Sequence, residues 1–160
     1  MNEARREALK KMLDEYELKQ QQQARQRDER RMALETFLAG YTELTQSIIK
    51  PSIEAFSAEL EKRGHPCKIA VEKPADSPDS LAAAKITLTI FPNSATLTHG
   101  NPSLSYAASP NQRKIAVQRN TIMSSGGITT SSVGDYTLEQ LSREVVEQHL
   151  LDLAASVFSQ

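Results

Sequence analysis

His65 and Cys67 stand two residues apart, which puts a histidine beside the only thiol of this chain. A histidine beside a thiol can take its proton and make a thiolate nucleophile. Both residues are also metal ligands, but a zinc site needs three or four of them. The remaining histidines, His99 and His149, read as members of a turn and of the last helix, and there is no second cysteine. Nothing marks a third residue that would orient the histidine. The pair is therefore expected to be a helix-to-strand turn with a partly buried thiol.

Other candidate chemistry fails on spacing. The Ser124-Ser-Gly-Gly127 stretch and the hydroxyls of Thr129, Thr130, Ser131 and Ser132 resemble a phosphate cradle only in composition. A Walker-type loop ends in Gly-Lys-Ser/Thr before a helix, and a dinucleotide loop needs three spaced glycines. A hairpin turn or lid is the expectation. Adjacent carboxylates occur at Asp14-Glu15 and Asp28-Glu29, both in a helical stretch and not in a cleft. Lys85, Lys114 and Arg119 are expected on one sheet face with Tyr106 beside them. Sheets that hold single-stranded nucleic acid combine more basic residues with more rings, so an ordinary exposed face explains this set. No catalytic residue, metal ligand set or cofactor site emerges.

One basic cluster stands out. Arg25, Arg27, Arg30 and Arg31 crowd a turn and a half of expected helix. Guanidiniums in that density suit a phosphate backbone. Asp28 and Glu29 lie among them and reduce the local excess to two. Nucleic-acid contact is accordingly the secondary expectation, and a solvated or coiled-coil face the primary one.

The clearest pattern is a periodicity. Leu9, Leu13, Tyr16, Gln20, Gln23, Arg27, Arg30, Leu34, Phe37, Tyr41, Leu44 and Ile48 follow one another at steps of four and three without a slip. That is the heptad of helices that wind around each other. Ala, Glu, Lys, Arg, Gln and Leu dominate the segment, all good helix formers. The seam is apolar at both ends and polar in its middle, at Gln20, Gln23, Arg27 and Arg30, and Arg27 and Arg30 on one face disfavour a tight dimer core there. The expected oligomer or partner interface is Leu9, Leu13, Tyr16, Leu34, Phe37, Tyr41, Leu44 and Ile48.

The remaining elements must carry this seam. Residues 1–33 read as a charged helical arm and 34–160 as an α+β domain. The helix is expected to run to about residue 50, where Pro51 lacks an amide hydrogen and clashes with the preceding turn. A kink or break is expected there, then a helix over 52–63 closed by Gly64. Gly40 is expected to admit another backbone. Alternation over Cys67–Lys73, Lys85–Phe91, Leu104–Ala108, Lys114–Arg119 and Ile128–Val133 predicts strands, and Ala95–Thr98 a short one. Pro74 to Ser80 reads as a loop. Thr137 and Gln140 form a Thr-x-x-Gln capping box, predicting a final helix over 137–158 with Asp135 near its start. The whole is an α+β fold: a long N-terminal coiled-coil-like helix, an antiparallel meander of four to five strands, and a C-terminal helix packed on one face.

Composition narrows the function classes. The 160 residues are 39% hydrophobic, 24% charged and 5% aromatic, with a formal net charge of -1. There is no global basic field for nucleic acid or an anionic membrane. A lone cysteine forms no intrachain disulfide, which fits a reducing compartment. The charged N-terminus lacks a signal-peptide core, and no stretch reaches the roughly 18 apolar residues of a membrane span. The expectation is a cytoplasmic, non-enzymatic scaffold, adaptor or regulator. It would assemble as a homo-oligomer, a dimer foremost, or bind a protein partner through its long helix. A nucleic-acid-associated regulator, and a small-ligand sensor or enzyme with a pocket between sheet and helices, are the alternatives.

Overall fold

The computed structural model describes residues 2–73, 84–94, 100–123 and 125–159. The chain divides into two compact units, Met1–Thr36 and Phe37–Gln160. Helix α1 spans Glu3–Leu44, as expected where helix formers run without Pro and with Gly only at position 40.

A short π-helical turn over Thr45–Ile49 connects α1 to helix α2, Lys50–Lys62. The Lys50 amide donates to the Thr45 carbonyl, five residues back. The irregularity thus lies one turn before Pro51, and the helical path continues instead of breaking. Pro51 has no amide hydrogen for the Ser47 carbonyl and its ring needs room there; a widened turn supplies it. At the other end of α2, Gly64 adopts φ 87°. Its amide donates to the Glu61 carbonyl (3.1 Å), and the His65 amide to the Leu60 carbonyl (2.9 Å). This pair of bonds is a Schellman cap, which requires the left-handed conformation that glycine adopts without strain.

Five strands follow: β1 Cys67–Glu72, β2 Lys85–Ile90, β3 Ser103–Ser109, β4 Lys114–Ile122 and β5 Ile128–Tyr136. They form one antiparallel sheet in the order β1-β2-β3-β4-β5, the meander that short connections favour. Ala95–Thr98, Pro74–Ser80 and His99 lie outside the described residues.

Alternation settles the faces. Ile69, Leu88, Leu104 and Arg119 stand in one cross-strand row, and Val71, Ile86, Tyr106 and Val117 in the next. These rows look onto the helices. Ile86, Leu88, Ile90, Leu104, Tyr106, Ile115 and Val117 are completely buried there. The opposite face carries short polar side chains. Across it the Asn120 amide donates to the Ser103 hydroxyl (3.0 Å), and the Thr130 hydroxyl donates to the Asn120 carbonyl oxygen (2.7 Å).

The last helix, α3, spans Arg143–Phe158, six residues later than the capping-box expectation. Ser142 is its N-cap, accepting from the Val145 amide at 3.3 Å. The Thr137 amide does donate to the Gln140 side chain (3.0 Å). However, the Gln140 amide returns to the Thr137 carbonyl, so these residues close a separate turn. That turn places Leu141 in the core. Asp135 is not at the helix start; it sits in β5 opposite Ala116. From α3, Val146, His149, Leu150 and Leu153 are buried. Val146, Leu150 and Leu153 join Phe37, Tyr41, Ile49 and Ile53 in a single core.

Candidate functional site: an exposed seam and a buried tyrosine–histidine network

The seam residues separate into two environments. Leu9, Leu13 and Tyr16 are 45%, 51% and 60% exposed. Gln20, Gln23, Arg27 and Arg30 are exposed and Leu34 is half-buried. Phe37 and Tyr41 are only 5% and 3% exposed and belong to the core of the second unit, with Leu44 and Ile48 packed against it. Apolar side chains left in water on one helical stripe mark a surface with unburied driving force. Within the first unit the exposed apolar part of the seam is Leu9, Leu13 and Tyr16.

The arginine cluster is exposed throughout. Arg31 lies 3.8 Å from the Asp28 carboxylate and 4.0 Å from that of Glu35. At such exposure these contacts contribute about 0.3–0.5 kcal/mol each.

A second arrangement was not anticipated from sequence. The Tyr106 hydroxyl lies 3.0 Å from His149 Nδ1, and the Tyr136 hydroxyl 3.1 Å from Nε2. His149 is 6% exposed and Tyr106 wholly buried. The neutral imidazole donates to one hydroxyl and accepts from the other, so both ring nitrogens are satisfied. The Tyr41 hydroxyl extends the network by donating to the Tyr106 backbone carbonyl at 2.8 Å. Residues of α1, β3, β5 and α3 are thereby linked.

Sheet irregularity positions Tyr136. Val117 pairs with Gly134, but Gln118 pairs with Ser132, so β5 carries one extra residue. Such a bulge re-aims the strand beyond it. A Cβ at Gly134 would come within 3.2 Å of the Tyr136 ring, and the φ there is +154°. Glycine therefore makes room for the ring that reaches His149.

Burial shapes the acid–base behaviour of this network. Desolvation lowers the His149 pKa from its ordinary value; nearby Asp152 opposes the shift and Arg119 adds to it. Burial also pushes Tyr106 far up and Tyr41 up to about 12. All three stay neutral in neutral water. Arg119 is on the core-facing side, and its Nε is buried without a hydrogen-bond partner. Its grouping with Lys85 and Lys114 does not hold. Lys85 and Lys114 share strand parity on the other face, because side chains alternate along a strand.

The sequence-level chemical candidates resolve into structural roles. The His65 Nδ1 accepts from the Asn93 amide (2.9 Å), and its ring lies 4.7 Å from that of Phe158. Cys67 Sγ is 3.6 Å from the His65 backbone oxygen, and burial raises the thiol pKa. That shift works against a thiolate. Gly126 and Gly127 close the β4–β5 hairpin: the Gly126 amide donates to the Met123 carbonyl and the Met123 amide to that of Gly127. Gly40 faces the Leu138 side chain, not another backbone; a Cβ there would meet Leu138 Cδ1 at 2.6 Å. Among the described residues, no three His, Cys, Asp or Glu converge as a metal site. Nor is any described helix long and apolar enough to cross a membrane.

Comparison with protein-family models, curated proteins and solved structures finds no match to this chain.

Proposed function

We propose that this protein is a non-enzymatic scaffold or adaptor that associates with a second helix through the exposed part of its N-terminal seam. One observation carries this reading. Leu9, Leu13 and Tyr16 lie on a single stripe and remain 45–60% exposed. Burying one such side chain is worth about 1.5–3 kcal/mol. Met12, Leu18 and Met32 of the same helix are exposed off this stripe; the unbroken heptad phase of Leu9, Leu13 and Tyr16 is what suits a second helix. The polar middle of the seam limits affinity and favours a particular register. The rest of the α+β unit provides a folded module for the assembly to display. Acting as a regulator in a cytoplasmic setting fits the single unpaired cysteine.

Light scattering on the full chain from low to high micromolar concentration tests this. The expected result is a mass rising toward twice that of one chain. A mass that stays at one chain throughout would dismiss it.

A further inference from the structure

We propose that Arg119, Thr121 and Thr129 bind the phosphoryl oxygens of a small molecule, free phosphate or a phosphomonoester, on the helix-facing side of the sheet at its β4–β5 end. This site is independent of the N-terminal seam.

The helix-facing side of the sheet is not apolar throughout. On β2 and β3, Ile86, Leu88, Leu104 and Tyr106 are completely buried. At the β4–β5 end the same face carries two polar cross-strand pairs, Arg119 with Ser131 and Thr121 with Thr129. Strand alternation divides the hydroxyl run of β5 between the two faces. Thr130 turns to the far face, where it donates to the Asn120 side chain at 2.7 Å. Thr129 and Ser131 turn to the face of Arg119. The hydroxyl run has no cation in its own sequence, and register with β4 supplies one.

Arg119 carries a charge without a counter-charge. Its Nε is buried with no acceptor. Among the described residues its guanidinium forms no ion pair. A buried donor left unpaired is costly, and a charged one more so. Asp152 of α3 acts on His149, as Arg119 does, but its carboxylate accepts from the Gln148 side chain at 2.9 Å.

Hydroxyls stand within reach of the same group. Residues two apart on a strand are separated by about 7 Å, and cross-strand neighbours by about 5 Å. Arg119, Thr121 and Thr129 occupy three corners of such a rectangle, with Ser131 at the fourth. Ser131 donates to the Arg119 backbone carbonyl at 3.4 Å, so its proton is used within the strand pair. The Thr121 and Thr129 hydroxyls have no such bond among the described residues. Thr129 is exposed, and Arg119 and Thr121 are half-buried, so the site opens to solvent.

The donor set selects the ligand. A guanidinium fork pairs with two oxygens of a carboxylate or a phosphate. Two hydroxyls in the adjacent row suit a third oxygen, which a phosphate has and a carboxylate lacks. A nucleic-acid backbone draws on several cations, and here there is one.

Heteronuclear NMR of the full chain, covering backbone amides and arginine Nε–H groups, tests the proposal at fixed pH and ionic strength. Inorganic phosphate, phenyl phosphate and acetate are titrated separately against chloride. The expected result is saturable shifts at the Arg119 Nε–H and at the amides of 119–121 and 129–131 with the two phosphates, and none with acetate. Tighter binding of phenyl phosphate would identify a phosphomonoester as the ligand, and tighter binding of inorganic phosphate the free ion. Arg119→Gln should abolish the saturable shifts. Thr121→Val with Thr129→Val keeps the charge and should weaken binding by about tenfold. Lys85→Gln, on the other face, should leave it unchanged. No saturation at millimolar phosphate, equal saturation by acetate, saturable shifts that survive Arg119→Gln, or full affinity in the double threonine variant would each overturn the proposal.

Discussion

Tyr106 and His149 meet in the core, the tyrosine hydroxyl 3.0 Å from Nδ1 of an imidazole that is 6% exposed. A strand and a helix are thus joined by a polar contact that water cannot replace. Removing the hydroxyl with Tyr106→Phe leaves a buried ring nitrogen without a partner. The expected cost is about 1–3 kcal/mol in urea unfolding. Tyr136→Phe acts on a half-buried ring, where water can substitute, and should cost less.

The same histidine makes stability depend on pH. Its folded pKa lies below the ordinary value of 6.5, so the unfolded chain binds the proton more readily. Stability from keeping His149 neutral is complete above about pH 6.5 and falls as acid is added, until pH reaches the lowered folded value. The slope in that window is at most about 1.4 kcal/mol per pH unit. Urea midpoints between pH 7.5 and pH 5 would show the decline, and His149→Gln should flatten it.

Gly134 tests the bulge. In Gly134→Ala the new Cβ stands 3.2 Å from the Tyr136 ring, at φ +154°. Displacing that ring should lower stability by about 1 kcal/mol and weaken the pH dependence as well. Gly126→Ala, with φ +89° and no atom within 4 Å, should show only the conformational cost. Its pH profile should keep the wild-type shape.

The two parts of the seam should respond oppositely to truncation. Phe37→Ala empties a core position and should cost about 3–5 kcal/mol in thermal or urea unfolding. Leu13→Ala, at a 51% exposed site, should change dilute-solution stability by less than about 0.5 kcal/mol. It should lower self-association instead.

Periodicity made most of this architecture legible. Ile86, Leu88 and Ile90 alternate in sequence and all three are fully buried in β2. The unbroken helix formers of residues 3–44 announce α1. The buried network was less visible because it depends on register. His149 stands three residues after Val146 and four before Leu153, squarely on the apolar face of α3. That spacing was the available signal, though a histidine there does not reveal its partners. Tyr136 was obscured because the expected last strand ends at Val133 and Asp135 reads as lying near the start of the final helix. In the sheet it is the end of a bulged strand, and only pairing with β4 discloses that. The delayed start of α3 has a similar cause: Thr137 and Gln140 suit one another chemically, but Ser142 wins the cap.

Sedimentation equilibrium of the full chain beside a Leu9→Ser, Leu13→Ser, Tyr16→Ser variant tests the central claim most directly. All three sites are exposed, so circular dichroism of the variant's folded unit should be preserved. The predicted result is a concentration-dependent dimer for the parent and a monomer for the variant over the same range. Equal masses for the two proteins, whether both monomeric or both dimeric, would contradict association through this seam.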